Sequence, residues 1–432
     1  MAGSMTSTGS TGLLTDRYEL TMLAAALADG TAWRRCTFEV FARRLPDGRR
    51  YGVVAGVGRL LDAIARFRFD DADLAQLAEA GVVGPDTLDW LSGYRFGGQV
   101  DGYPDGELYF PGSPVLTVTG TFAEAVLLET LVLSVLNHDC AIASAAARMV
   151  GAAGGRPLIE MGSRRTHEEA AIAAARAAYL AGFASTSNLE AGRRYGIPTA
   201  GTAAHAFVLL HDDEQAAFAS QVAAQGTKTT LLVDTYDIRA GVERAVAAAG
   251  TELGAIRIDS GDLGELARQA RDQLDALGAR ATRIVLSGDL DEYAIAALRA
   301  EPVDAYGVGT SVVTGSGAPT AEMVYKLVEV DGRPVAKRSE AKASKGGRKS
   351  ALRRYKPTGT ALEEVVFPTQ RPVSAGPHDR VLPVPLLSGG EPVAGLETLE
   401  QSRERLRAAL VSVPWEGLKL SRGEPAIPTV FS

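Results

Sequence analysis

One imidazole and one guanidinium, His205 and Arg257, sit in apolar runs whose ends are crowded with carboxylates, hydroxyls and glycines. His205 follows a Gly-Thr turn in GTAAHAFV and reads as part of an apolar strand. An imidazole beside carboxylates is a good nucleophile or general base, and a lone histidine in an apolar run is also a common satisfied core residue. Arg257, like Arg164 and Arg165 of LIEMGSRR, stands at a strand end. Such groups either balance nearby acids or grip a carboxylate or phosphate with two parallel N–H bonds. The turns SGDL (Ser260–Leu263 and Ser287–Leu290) and GVGT (Gly307–Thr310) place glycine where a strand gives way to a helix. One such turn is ordinary turn chemistry, whereas several on successive strands suit an anion cradle of backbone N–H groups. The acids Asp234, Asp237, Asp259, Asp262 and Asp289 form either a solvated rim or hard oxygen ligands for Mg²⁺ and ribose hydroxyls.

The elements that must position these groups follow from periodicity. The runs TLLVDTYD, IRIDSGDL, IVLSGDL and YGVGTSVVT recur at a step of roughly one strand plus one helix. Leu263, Leu266, Ala267, Ala270, Leu274 and Leu277 keep helical spacing up to Gly278, a helix stop. This alternation predicts an α/β fold with parallel strands, crossover helices and a polar mouth at the carboxyl ends of the strands. Before it, the sequence predicts an unstructured start to Thr11, a helix over Leu14–Leu27, and a hairpin joining the strand around Phe38 and Val40 to Tyr51–Ala55. It also predicts a bent strand over Glu107–Thr119 and a long apolar helix over Glu124–Leu136. Thr166 and Glu169 read as a capping box. After the barrel come a hairpin over Tyr325–Val335 turning at Asp331-Gly332, a basic loop from Lys337 to Lys356, and a tail with one helix, Glu397–Leu410.

The whole chain sets bounds. Its 432 residues favour two domains, and a net charge of −7 gives no global attraction for nucleic acid. Two cysteines, Cys36 and Cys140, make no metal or disulfide framework and suit a reducing cytosol. The most apolar run, Val126–Leu136, is short and contains Glu129, so a cytoplasmic protein without a membrane span is expected.

Seven segments in order, LLTDRYELTM, FARRLPDGRRYGVVAG, LIEMGSRRTHEEA, GFASTSN, GTAAHAFV, IRIDSGDL and GVGTSVVT followed by YKLVE, resemble the motifs of the nicotinate phosphoribosyltransferases, a type II phosphoribosyltransferase family. The resemblance covers about Leu13 to Lys349. It implies an irregular α/β barrel over 151–335, an N-terminal α/β sandwich domain over 13–150 completed by the C-terminal segments 336–432, and a head-to-tail homodimer. It implies an enzyme that joins nicotinate to phosphoribosyl diphosphate, releasing diphosphate, and couples this to ATP hydrolysis in NAD biosynthesis. His205 matches the histidine that ATP phosphorylates, and Asp259 a carboxylate beside the ribose or base. Thr202, Arg257, Arg164 and Ser187 match the nicotinate site, joined by Tyr18, which typically arrives from the partner subunit. Ser287, Gly288, Gly309 and Thr310 match the cradle for the 5-phosphate, and Mg²⁺ is expected to be held mainly by diphosphate. Met161 stands where many relatives carry a Phe. Quinolinate or nicotinamide phosphoribosyl transfer, and a non-catalytic binding protein on the same barrel, are the competing readings.

Overall fold

The computed structural model describes residues 9–337, 345–393 and 397–432. The chain divides into two compact units, one running to Ser144 and resuming at Ala318, the other spanning Ala145–Gly317.

The first unit is built on an antiparallel sheet ordered Arg333–Pro334, Met323–Val330, Arg35–Ala42, Leu116–Thr121, Gln99–Gly102, Val384–Ser388 and Glu391–Pro392. Phe38 and Val40 are buried in its apolar layer with Val118 and Tyr325, and Phe38 stacks on Tyr325 at 4.8 Å between ring centroids. The expected local hairpin does not form. Arg35–Ala42 pairs instead with Met323–Val330 and Leu116–Thr121, while Gly52–Val53 pairs with Leu108–Tyr109. The basic turn PDGRR therefore joins two different sheets. The hairpin at Asp331-Gly332 does form, with φ of 48° and 74° at its two turn residues, as a tight turn between twisted strands requires. Its long strand lies in this sheet and not in the barrel segment to which 151–335 had assigned it.

Other expectations also change. Thr11 is pinned, its hydroxyl donating to the Ala63 carbonyl at 2.8 Å, although residues 1–8 lie outside the described residues. The segment Glu107–Thr119 breaks at its prolines into Leu108–Tyr109 and a central strand, Leu116–Thr121. The apolar helix is far longer than read: Phe122–Val126 is followed by Glu129–Ala153, which places His138 in mid-helix. The stretch Phe122–Ala153 has the length and apolarity to cross a membrane, yet 67% of its apolar window is buried, with Leu131, Val132 and Leu136 in the core. His167, not Thr166, caps the helix Glu168–Ala181, its ring accepting from the Glu169 N–H at 3.3 Å. Part of the basic loop, 338–344, lies outside the described residues.

Two buried ion networks fasten this unit. Arg353 donates to Glu107 at 2.6 Å and to Glu364 at 2.8 Å, linking the late strands Lys349–Tyr355 and Ala361–Pro368 to the early chain. Asp139 accepts from Arg59 at 3.0 Å and meets the His138 ring at 2.8 Å. Burial pushes the Asp139 carboxyl up, but the Arg59 charge and the His138 and Arg59 hydrogen bonds outweigh it and hold it down at about 2. A depressed folded value gives stability that is present in full above the ordinary carboxylate range and is lost as pH falls through the folded value. Denaturant melts should therefore show about 2 kcal/mol lost between roughly pH 4 and pH 2, and Asp139→Asn should flatten that slope.

The second unit contains a six-stranded parallel sheet. Its strands are β1 (Leu158–Glu160), β2 (Ser185–Thr186), β3 (Thr230–Leu232), β4 (Ala255–Ile258), β5 (Arg283–Leu286) and β6 (Ala305–Val308), in spatial order β2-β1-β6-β5-β4-β3. Ile256, Ile258, Ile284 and Leu286 have no exposed surface, as expected for parallel strands covered on both faces. The helix α1 (His205–Leu209) follows the loop after the helix Leu189–Tyr195, and α2 (Ile238–Ala249), α3 (Leu263–Ala276) and α4 (Thr310–Val313) follow the ends of β3, β4 and β6. In α3 the buried positions are Ala267, Ala270 and Leu274, and Gly278 ends the turn at φ 80°. His205 is a correction: it opens α1 and is not in a strand.

Candidate active site

The end of β4 turns a guanidinium into a hub. Arg257 Nε donates to Ser287 Oγ at 2.9 Å, one Nη to Thr202 Oγ1 at 2.7 Å and the Ala203 carbonyl at 3.3 Å, and the other Nη to Asp259 Oδ1 at 3.3 Å. The Ser287 hydroxyl also donates to Asp259 Oδ1. The Arg257 side chain is only 12% exposed and makes four hydrogen bonds among the described residues, against the five N–H donors of a guanidinium. Alternating side chains make this possible: Ile256 and Ile258 face the core while Arg257 and Asp259 point the other way.

Asp234, just beyond β3, holds this constellation from beneath. Its Oδ2 accepts the Asp259 N–H at 2.9 Å and the Ser260 hydroxyl at 2.8 Å, while its buried Oδ1 has no hydrogen-bond partner among the described residues. The next residue, Thr235, places its hydroxyl 3.1 Å from His205 Nδ1. Sequence reading missed Thr235. The signal was available in VDTYD, since a hydroxyl at a strand end faces the same mouth as the acids around it. Asp237 and Asp262, by contrast, are helix caps: Asp237 accepts from the Ala240 N–H at 2.8 Å and Asp262 from the Glu265 N–H at 3.2 Å.

Gly288 supports the site by close approach. It has φ 103°, and a Cβ there would lie 2.1 Å from the Asp259 carbonyl oxygen. Gly288→Ala should cost about 2 kcal/mol or more in a denaturant melt, and it should push Asp259 off Arg257. Gly307 is bare for a similar reason, a Cβ there meeting Met161 Sδ at 2.7 Å, so the Met161 thioether lies across β6. Ser287 departs from the expected phosphate cradle: its N–H donates to the Ile258 carbonyl at 3.0 Å and its hydroxyl belongs to the Arg257 network. Gly309 and Thr310 head α4, with Thr310 exposed.

The MGSRR and TSN turns make no hydrogen bond to this network among the described residues. Glu160 at the end of β1 accepts from the Gly162 N–H and the Thr186 hydroxyl, and burial pushes its carboxyl up. The Asn188 amide reaches Ser163 Oγ at 3.0 Å, so the MGSRR and TSN turns are tied together. Ser187 is exposed, its N–H on the Glu160 carbonyl at 2.8 Å, and it is not joined to Arg257. The side chains of Arg164 and Arg165 are exposed, without a hydrogen bond or ion pair among the described residues. Tyr18 belongs to the first unit, on the helix Arg17–Asp29 and 45% exposed. Its phenol is pushed up to about 12 by burial and by Glu129, Glu19 and Asp16.

Comparison with known proteins bears on the family of the chain. Residues 13–137 match the nicotinate phosphoribosyltransferase N-terminal domain, and residues 142–317 the quinolinate phosphoribosyl transferase C-terminal domain. The chain is 68% identical over 427 residues to nicotinate phosphoribosyltransferase pncB1 of Mycobacterium tuberculosis, covering 97% of this chain and 94% of that one. It is 33% identical to the human nicotinate phosphoribosyltransferase over 86% of this chain and 82% of that protein. The crystal structure of human nicotinic acid phosphoribosyltransferase superposes with a TM-score of 0.83 at 27% identity, over 97% of each chain. A shared fold, matched domains at both ends of the motif series and this degree of identity lead to one conclusion: the chain belongs to the nicotinate phosphoribosyltransferase family.

Proposed function

We propose that the chain makes nicotinate mononucleotide and diphosphate from nicotinate and phosphoribosyl diphosphate, with ATP hydrolysis coupled through a phosphohistidine at His205. The observation that carries this reading is the Arg257 hub, a nearly buried cation with four hydrogen bonds among the described residues, linked through Asp259, Asp234 and the adjacent Thr235 to an imidazole. An N–H of Arg257 and the Thr202 hydroxyl receive the nicotinate carboxylate, with Arg164, Ser187 and a Tyr18 from a second subunit completing the base site. The pyridine nitrogen attacks C1 of the ribose, the bond from C1 to the diphosphate oxygen breaks, and the diphosphate leaves with the electron pair. Positive charge builds on the sugar as the bond breaks, and the Asp259 carboxylate stabilises it. Gly288, Gly309 and Thr310 cradle the 5-phosphate, with Ser287 acting through Arg257 rather than on the phosphate.

A Mg²⁺ ion fits this site on one ground: Asp234 Oδ1 is a buried hard oxygen without a hydrogen-bond partner among the described residues, and Mg²⁺ usually takes one or two carboxylates plus substrate phosphates. The bound ion would neutralise the departing diphosphate. We place the enzyme in the cytoplasm as a homodimer. The test of the coupling is product formation with and without ATP. The expected result is faster nicotinate mononucleotide formation with ATP, with ADP released alongside it, and ADP release that ignores the other substrates would overturn the coupling. The match of residues 142–317 to the quinolinate enzymes favours a second reading, quinolinate transfer, for which the exposed Arg164 and Arg165 would have to hold a second carboxylate.

A further inference from the structure

We propose that Thr235 is a positioning residue that selects the nitrogen of His205 which accepts phosphate, an inference that rests on the ATP coupling proposed above. The hydroxyl of Thr235 lies 3.1 Å from Nδ1, and Nε2 has no hydrogen bond among the described residues. When Thr235 accepts from Nδ1–H, the lone pair of the neutral ring resides on Nε2. Nε2 then attacks the terminal phosphorus of ATP: the N–P bond forms, the bond from that phosphorus to the bridging oxygen breaks, and ADP leaves with the electron pair.

The hydroxyl is held beside the ring because its backbone is fixed. The preceding residue, Asp234, is buried and bonded to the Asp259 N–H and the Ser260 hydroxyl, and Val233 donates its N–H to the Arg257 carbonyl at 3.1 Å. The same turn thus anchors the phosphate-accepting ring and the carboxylate that faces the ribose. His205 itself starts a five-residue helix and follows the loop that gives Thr202 and Ala203 to Arg257, so its backbone is flanked by ordered chain on both sides. Without the hydroxyl, an imidazole in water prefers its proton on the other nitrogen, and nothing else among the described residues corrects it.

The test uses the full-length protein with ¹⁵N-labelled histidine and two variants, Thr235→Val, which keeps the shape and removes the hydroxyl, and Thr235→Ser, which keeps the hydroxyl. Nitrogen NMR of the resting protein should show His205 with its proton on Nδ1 in the wild type and Thr235→Ser, and on Nε2 in Thr235→Val. After ATP is added, phosphorus should appear on Nε2 in the wild type, and the rate of phosphoenzyme formation should fall at least about tenfold in Thr235→Val, the scale of one lost hydrogen bond. Thr235→Ser should recover most of the lost rate, a rescue that general loosening of the site would not produce. A wild-type proton on Nε2, phosphorus on Nδ1, or an unchanged rate in Thr235→Val would overturn the proposal. A wild type that shows the Nδ1 proton yet takes no phosphate from ATP would overturn the coupling and leave the positioning role in place.

Discussion

Replacing Arg257 with alanine should lower kcat/KM for nicotinate by about a thousandfold, the scale of a buried, directional charge contact at the substrate. Two losses add. The substrate carboxylate loses its cation, and Ser287, Thr202 and Asp259 lose the donor that holds them at 2.9, 2.7 and 3.3 Å. An Asp259 carboxylate left without that cation costs more than the contact itself gave. Arg257→Lys should recover little, because an ammonium is a point charge and cannot reach Ser287 on one side while holding Thr202 and Asp259 on the other. Steady-state kinetics with nicotinate as the varied substrate reads the effect, and a tenfold or smaller loss in Arg257→Ala would mean that the carboxylate binds elsewhere.

His205→Ala should reduce ATP hydrolysis coupled to product formation to background while transfer without ATP persists within about tenfold, since the ring takes part only in the phosphoryl step. The structure supports this separation: among the described residues the imidazole's one hydrogen bond is with Thr235, and none of the four Arg257 hydrogen bonds involves it. Radiolabel from the terminal phosphate of ATP should enter the wild type and not the variant. Label retained by His205→Ala would move the phosphate to another residue.

Much of the barrel was legible in the sequence because its signals are local. The strands β3 to β6 end within a few residues of the acidic and glycine turns that mark them, and Asp262 and Gly278 bracket α3 as cap and stop. The Asp331-Gly332 turn was legible for the same reason. What failed was non-local or ambiguous in period. The partner of Arg35–Ala42 is Met323–Val330, far along the chain, and nothing in FARRLPDGRRYGV encodes it. The run HAFVLL is apolar throughout, so a helix start and a strand look alike, and His205 was put in the wrong element. The helix Glu129–Ala153 was cut short because Asn137, His138 and Asp139 look like an end, although Asp139 is paid for by Arg59 from inside the fold. At the site, residue types were legible and their partners were not. Ser287 became a brace for Arg257 and Thr235 a neighbour of His205, because each role depends on which strand end lies beside it, whereas the capping by Asp237 is local.

The central claim, that Arg257 makes this a site for a pyridine with a single carboxylate, is tested most directly by competition among bases. Purified protein with phosphoribosyl diphosphate, Mg²⁺ and ATP should be given nicotinate, nicotinamide and quinolinate together and the nucleotide products quantified. The expected result is nicotinate mononucleotide in excess of the nicotinamide product by at least about a hundredfold, the cost of leaving a built carboxylate site unfilled, with no carbon dioxide released from quinolinate. Nicotinamide used as well as nicotinate, or product from quinolinate in preference to both, would contradict it.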